Sequence, residues 1–243
     1  MSTIRRPFGH SPHPPSLLAQ TLEPLAASLW VLFLLWSGLV TLVWCTHIGD
    51  FELKEWIANP GLRAALQAFI QALDPAWLTL AAVNVYMTLV HRYELGEARR
   101  WSLLVFCGAL LLAWVSAATR FPLGPIHYTT RLGGQLGPVP FAWPFLWITV
   151  IFGAREITLR VLPHGGHNLI AAGTGLLACA TALNLEPIAW KMRSWWFWLG
   201  PNAQTPGSPS FQYPLTWFVA ATFFAWCMRE PTVAIGTRRA SWK

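Results

Sequence analysis

Residues 24–46, PLAASLWVLFLLWSGLVTLVWCT, carry no charged side chain. A helix needs about 20 apolar residues to cross a hydrocarbon core of about 30 Å, so this run fits a bilayer better than the core of a small soluble domain. It is too long, and begins too late, for the apolar part of a cleavable signal, which covers roughly 7–15 residues. It is read as a retained first span. Similar runs predict further spans at about 76–92, 101–119, 141–157, 168–190 and 214–228. Composition agrees: 54% of residues are hydrophobic and only 11% charged, against about a quarter charged in soluble domains. The fold class is therefore all-α, a polytopic integral membrane protein with about six transmembrane helices. A tail at 1–23 precedes the helical domain at 24–228, and a basic tail at 229–243 follows it.

Lys and Arg concentrate in cytoplasmic loops, and their distribution sets orientation. Six spans put Arg5, Arg6, Arg92, Arg99, Arg100, Arg155, Arg160, Arg229, Arg238, Arg239 and Lys243 on one side, with only Lys54, Arg63, Arg120, Arg131, Lys191 and Arg193 on the other. Both termini are expected in the cytoplasm of a bacterial inner membrane. The net charge of +7 then reflects topology and contact with anionic lipid. No basic stripe interleaved with aromatics marks a nucleic-acid partner.

Between the first two spans lies GLRAALQAFIQAL, with Leu62, Leu66, Phe69, Ile70 and Leu73 at helical spacing and Arg63, Gln67 and Gln71 opposite. That pattern predicts a short amphipathic helix, lying on the membrane surface or docking a partner protein. The same loop holds Asp50, Glu52, Glu55 and Asp74. Cys45, Cys107, Cys179 and Cys227 each stand alone in or beside an apolar run and read as small hydrophobes. His164 and His167, in PHGGH, have no third ligand nearby and read as a turn, so no metal site is expected.

Of sixteen Trp, several fall at expected span ends (Trp44, Trp77, Trp101, Trp143, Trp190) and suggest an aromatic belt at headgroup level. The run SWWFW at 194–198 is denser than a belt requires. It reads as an interfacial segment or as a wall against a flat or polyene ligand. Polar and Gly/Pro-rich material concentrates in two places. One is the linker 120–144, with four Gly, five Pro, and His127, Tyr128, Thr129, Thr130, Arg131 and Gln135. The other is LNLEPIAW, which sets Asn184 and Glu186 in apolar surroundings before the aromatic run and FQYPLTWF. Ionisable groups near hydrocarbon are costly and default to a functional role, which makes Glu186 the leading site residue.

Together the segments PLGPIHYTTRLGGQLGPVPFAWPFLW, LNLEPIAW and QYPLTWF resemble the carotenoid biosynthesis membrane family that includes the carotenoid 1,2-hydratases acting on acyclic ends. The resemblance runs over roughly residues 110–228. It implies a glycine-rich loop, an acidic residue before Pro and an aromatic stretch as site elements, and a carotenoid or other isoprenoid as ligand without a redox cofactor. Of two acids that it implies, one falls near Ala113 and the other on Ala182, and an Asn falls on Trp217. Only Glu186 remains among the implied carboxylates.

Hydrating an isolated alkene requires an acid able to protonate carbon, shielding for the resulting tertiary cation, and a positioned water. Glu186 is the candidate acid, with Tyr128 and the faces of Trp195 and Trp196 against the cation. His127 is the candidate for positioning water. Trp198, Tyr213, Trp217, Gly124 and Gln135 complete the expected ligand site. The loss of two acids from a retained scaffold is equally what a catalytically silent relative would show. Such a relative would bind a carotenoid, or pack as an accessory subunit among other membrane subunits of a pigment–protein complex.

Overall fold

A computed structural model describes residues 17–46, 57–200, 207 and 209–228. Six long helices make up most of it: α1 (Leu17–Thr46), α2 (Pro60–Arg92), α3 (Leu95–Thr119), α4 (Trp143–Val161), α5 (His167–Pro187) and α6 (Gln212–Cys227). The chain is an all-α multi-pass membrane protein. Four stretches, Pro24–Thr46, Pro60–Arg92, Leu95–Thr119 and His167–Met192, are long and apolar enough to cross a bilayer.

The expected amphipathic helix and the second span are one element, the 33-residue α2. Asn59 begins it, accepting from the backbone N–H of Gly61 and Leu62. Pro75 lies inside this helix without ending it. Only part of the amphipathic stripe is covered: Leu73 is buried, whereas Leu62 and Phe69 stay exposed. The PHGGH stretch does form the α4–α5 connection, with His167 as the first residue of α5. Asp50, Glu52 and Glu55 lie outside the described residues.

Helix α4 is the hub, packed on α2, α3, α5 and α6. Its length is 19 residues, and it carries Arg155, Glu156 and Arg160 in its last two turns. Arg155 is buried, donating to the Tyr93 hydroxyl at 2.8 Å and the Met228 carbonyl at 3.1 Å. Its guanidinium also lies over the Tyr93 and Trp101 rings. Glu156 pairs with Arg92 of α2. Helices α5 and α6 approach so closely that a Cβ on Gly175 would meet the Thr222 side chain.

The connection 120–142 and residues 188–200 meet at one end of the bundle. Strand β1 (Ile126–Tyr128) pairs antiparallel with β4 (Trp196–Trp198), setting Ile126 opposite Trp198 and Tyr128 opposite Trp196. A second hairpin joins β2 (Gln135–Leu136) to β3 (Val139–Pro140). The Thr129 N–H donates to the Trp195 carbonyl, and the Leu199 N–H to the Pro125 carbonyl, which staples the two connections together.

Candidate functional site

Side chains alternate faces along a strand, and the last three residues of SWWFW form one. Trp196 and Trp198 face inward with Ile126 and Tyr128; Phe197 and His127 face outward. The run is therefore neither a surface-lying segment nor an open wall: Trp195, Trp196 and Trp198 are all fully buried. Gly124 makes this packing possible. Its φ of +100° is open to glycine, and a Cβ there would stand 3.0 Å from the Trp198 ring.

Around β4 lies a continuous aromatic mass. Trp143 touches Tyr128, Trp196 and Trp217 edge to face, at ring-centroid distances of 5.1, 5.4 and 6.3 Å. Trp217 stacks on Trp147 at 3.8 Å, and Tyr213 stands edge-on to Trp198 at 5.4 Å. Trp143 is thus a core residue rather than part of a belt, because its helix starts beneath the β1–β4 sheet rather than facing lipid.

Glu186, in the last turn of α5, is buried against this mass. Its Oε1 accepts from Trp198 Nε1 at 2.5 Å and from Trp196 Nε1 at 3.3 Å. Its Oε2 is buried with no hydrogen-bond partner among the described residues. The hydroxyl of Tyr128 and the indole N–H groups of Trp143 and Trp147 are in the same condition. Buried polar groups are normally paired, and each unpaired one costs about 1–3 kcal/mol. Four such atoms on one contiguous cluster offer three donors and one acceptor. Burial pushes the Tyr128 phenol well above its ordinary range, so it acts as a neutral hydrogen-bond donor.

A second buried carboxylate, which the sequence reading did not single out, is held by the residues just before β4. Asp74 on α2 receives Arg193 in a fork, with Nη2 at 2.9 Å from Oδ1 and 2.8 Å from Oδ2, and Nε at 3.2 Å from Oδ2. Trp195 Nε1 donates to Oδ2 at 2.7 Å and Trp44 Nε1 to Oδ1 at 3.2 Å. The Arg193 guanidinium lies 4.8 Å from the Trp44 ring centroid. Trp195 therefore serves Asp74 and not Glu186. The signal for this clamp was present in the sequence as an Asp at the start of an apolar run and an Arg before SWWFW.

Of the expected site residues, Glu186, Tyr128, Trp196, Trp198, Tyr213 and Trp217 converge. His127 and Gln135 do not join them: both are exposed and line a cavity of about 410 Å³ with Thr129, Thr130 and Phe197, which Tyr128 also borders. Ala113 and Ala182 are fully buried in the same apolar core as the Trp cluster. Ala182 lies one turn before Glu186 on α5. No group of three metal-ligating side chains occurs among the described residues.

Residues 74–240 match a family described as carotenoid biosynthesis protein. The match begins at the Asp74 of the clamp and takes in every residue of the aromatic cluster. No curated protein and no solved structure matches this chain.

Proposed function

The chain belongs to the carotenoid biosynthesis protein family, and from that premise we propose that it binds an acyclic carotenoid or related isoprenoid and adds water across a terminal alkene. The observation that carries this reading is the Glu186 carboxyl, with one oxygen held by two indoles and the other unpartnered among aromatic faces. In the proposed reaction the protonated carboxyl gives its proton to the less substituted carbon of the terminal alkene, and the π electrons form that C–H bond. The tertiary cation left behind is shielded by ring faces. Water then adds to the cation, and the proton that the oxygen sheds returns to the carboxylate. One carboxyl completes the cycle, with Tyr128 and Tyr213 as neutral donors able to orient the water. No redox cofactor enters this balance.

Ala113 and Ala182 favour a second reading. Where the resemblance implies acids, both positions are methyl groups packed into the core. A relative that has closed these positions can keep the pigment and lose the chemistry, serving as an accessory subunit of a membrane pigment–protein complex.

Expression in a bacterial host that makes an acyclic carotenoid separates the two readings. A product heavier by one water, identified by mass spectrometry, supports hydration. Unchanged carotenoid purifying with the inserted protein supports the binding role. A colourless preparation without product contradicts both. For orientation we propose cytoplasmic termini in a bacterial inner membrane, with the β1–β4 sheet on the opposite side. A cysteine introduced at position 205 should then be labelled from the side opposite the cytoplasm.

A further inference from the structure

The rings of the aromatic cluster pack on one another, with Trp143, Trp147, Trp196, Trp198 and Trp217 fully buried, so they leave no open face along which the long chain of a ligand could lie. A groove of about 440 Å³ runs between α3 and α6, lined by Gly108, Leu111 and Leu112 on one side and by Leu215, Val219 and Phe223 on the other. The polar side chains on its wall are Gln212 and Thr216, and the Thr216 hydroxyl is occupied, donating to the Pro122 carbonyl at 2.6 Å. The occupant of such a surface is a hydrocarbon. The Phe224 ring lines the groove and lies so close to Gly108 that a Cβ there would stand 2.4 Å from the ring. From Gln212 to Phe224 the groove follows α6 for about 18 Å, at 1.5 Å of rise per residue. Leu111, Leu215, Val219 and Phe223 are exposed at its rim, so it opens sideways towards lipid.

Two features tie this groove to Glu186 rather than leaving it a generic lipid-facing crease. At one end, Gln212 precedes Tyr213, whose ring packs on the same Trp198 that donates to Glu186. Helix α6 begins there at the level where α5 ends, because the two helices are antiparallel neighbours. Along the floor, Phe224 packs edge-on to Trp147, which stacks on Trp217 of the cluster.

We propose that the α3–α6 groove holds the extended isoprenoid chain of the ligand, entering from the bilayer, with its reacting end at the Phe121, Pro122 and Gln212 end beside Tyr213. This rests on the carotenoid reading and adds where the chain lies. A planar conjugated chain suits a floor made of a Phe ring, and the lateral opening lets a water-insoluble substrate enter without leaving the membrane.

The test uses Val219→Trp, which fills the groove from its lipid-exposed rim, and a photo-crosslinking amino acid placed at 219 in the otherwise unchanged protein. Both are purified from a carotenoid-producing host. Expected are at least a tenfold fall in carotenoid bound per protein for V219W, with unchanged thermal midpoint, and a crosslinked adduct with the mass of the polyene. If V219W keeps wild-type pigment, or the adduct is a phospholipid alone, the groove assignment is overturned while the Glu186 reading stands. If wild type itself binds no carotenoid and makes no product, both fall together.

Discussion

Asp74 and Glu186 are carboxylates buried among indoles at the same end of the bundle, and one short segment, residues 193–198, serves both. Arg193 and Trp195 turn to Asp74; Trp196 and Trp198 turn to Glu186. Asp74 has a forked guanidinium and an indole on each oxygen. No lone pair is left conveniently free and its charge is balanced, so it has little capacity for chemistry. Glu186 has two indoles on one oxygen and nothing on the other, and no ion pair involves it among the described residues. The difference separates a carboxylate that holds α1, α2 and the residues leading into β4 together from one that keeps an oxygen available.

Removing the clamp should have the largest effect on stability. Asp74→Ala leaves Arg193 buried without its partner, and breaking one side of a buried pair costs about 3–5 kcal/mol. Thermal unfolding in detergent should show the midpoint collapse, with α1 the first element to lose protection from hydrogen exchange. A mild loss would erase the distinction drawn between the two carboxylates. Trp198→Phe keeps the ring but removes a hydrogen bond to the carboxyl, and should cost about 1.5–3 kcal/mol by the same assay. Glu186→Gln keeps an acceptor for both indoles, so its midpoint should stay within about 1 kcal/mol of wild type. His127→Ala, on the outer face of β1, should change stability by less than about 0.5 kcal/mol. Because His127 is turned away from Glu186, its loss should also leave ligand binding unchanged, measured as pigment per protein; a large loss would place water or ligand on the outer face of the sheet.

The membrane-helical class was plain in the sequence because hydrocarbon permits few solutions for an uncharged run such as 24–46. Convergence of Glu186, Tyr128, Trp196, Trp198, Tyr213 and Trp217 was also legible, as ordered segments of one family. Three things were not. The union of 60–75 with 76–92 was hidden by Pro75, which usually breaks a helix but here lies within one. The inward turn of Trp143, at a place where a belt residue is expected, depends on the β1–β4 sheet that covers it. The split of SWWFW between two carboxylates depends on strand alternation and on Asp74, which lies 121 residues before its Arg193 and Trp195 partners' far end. No local pattern connects residues so distant.

The most direct test compares wild type, Glu186→Gln and Asp74→Asn in a host making an acyclic carotenoid, with the water-adduct product normalised to inserted protein. Gln at 186 retains shape and hydrogen bonding but has no proton to give, so product per protein should fall about 100-fold or more. Asn at 74 should lower the amount of inserted protein and leave product per protein near the wild-type value. Equal product per protein from wild type and the 186 variant, or a fall confined to the 74 variant, would contradict the assignment of the chemistry to Glu186.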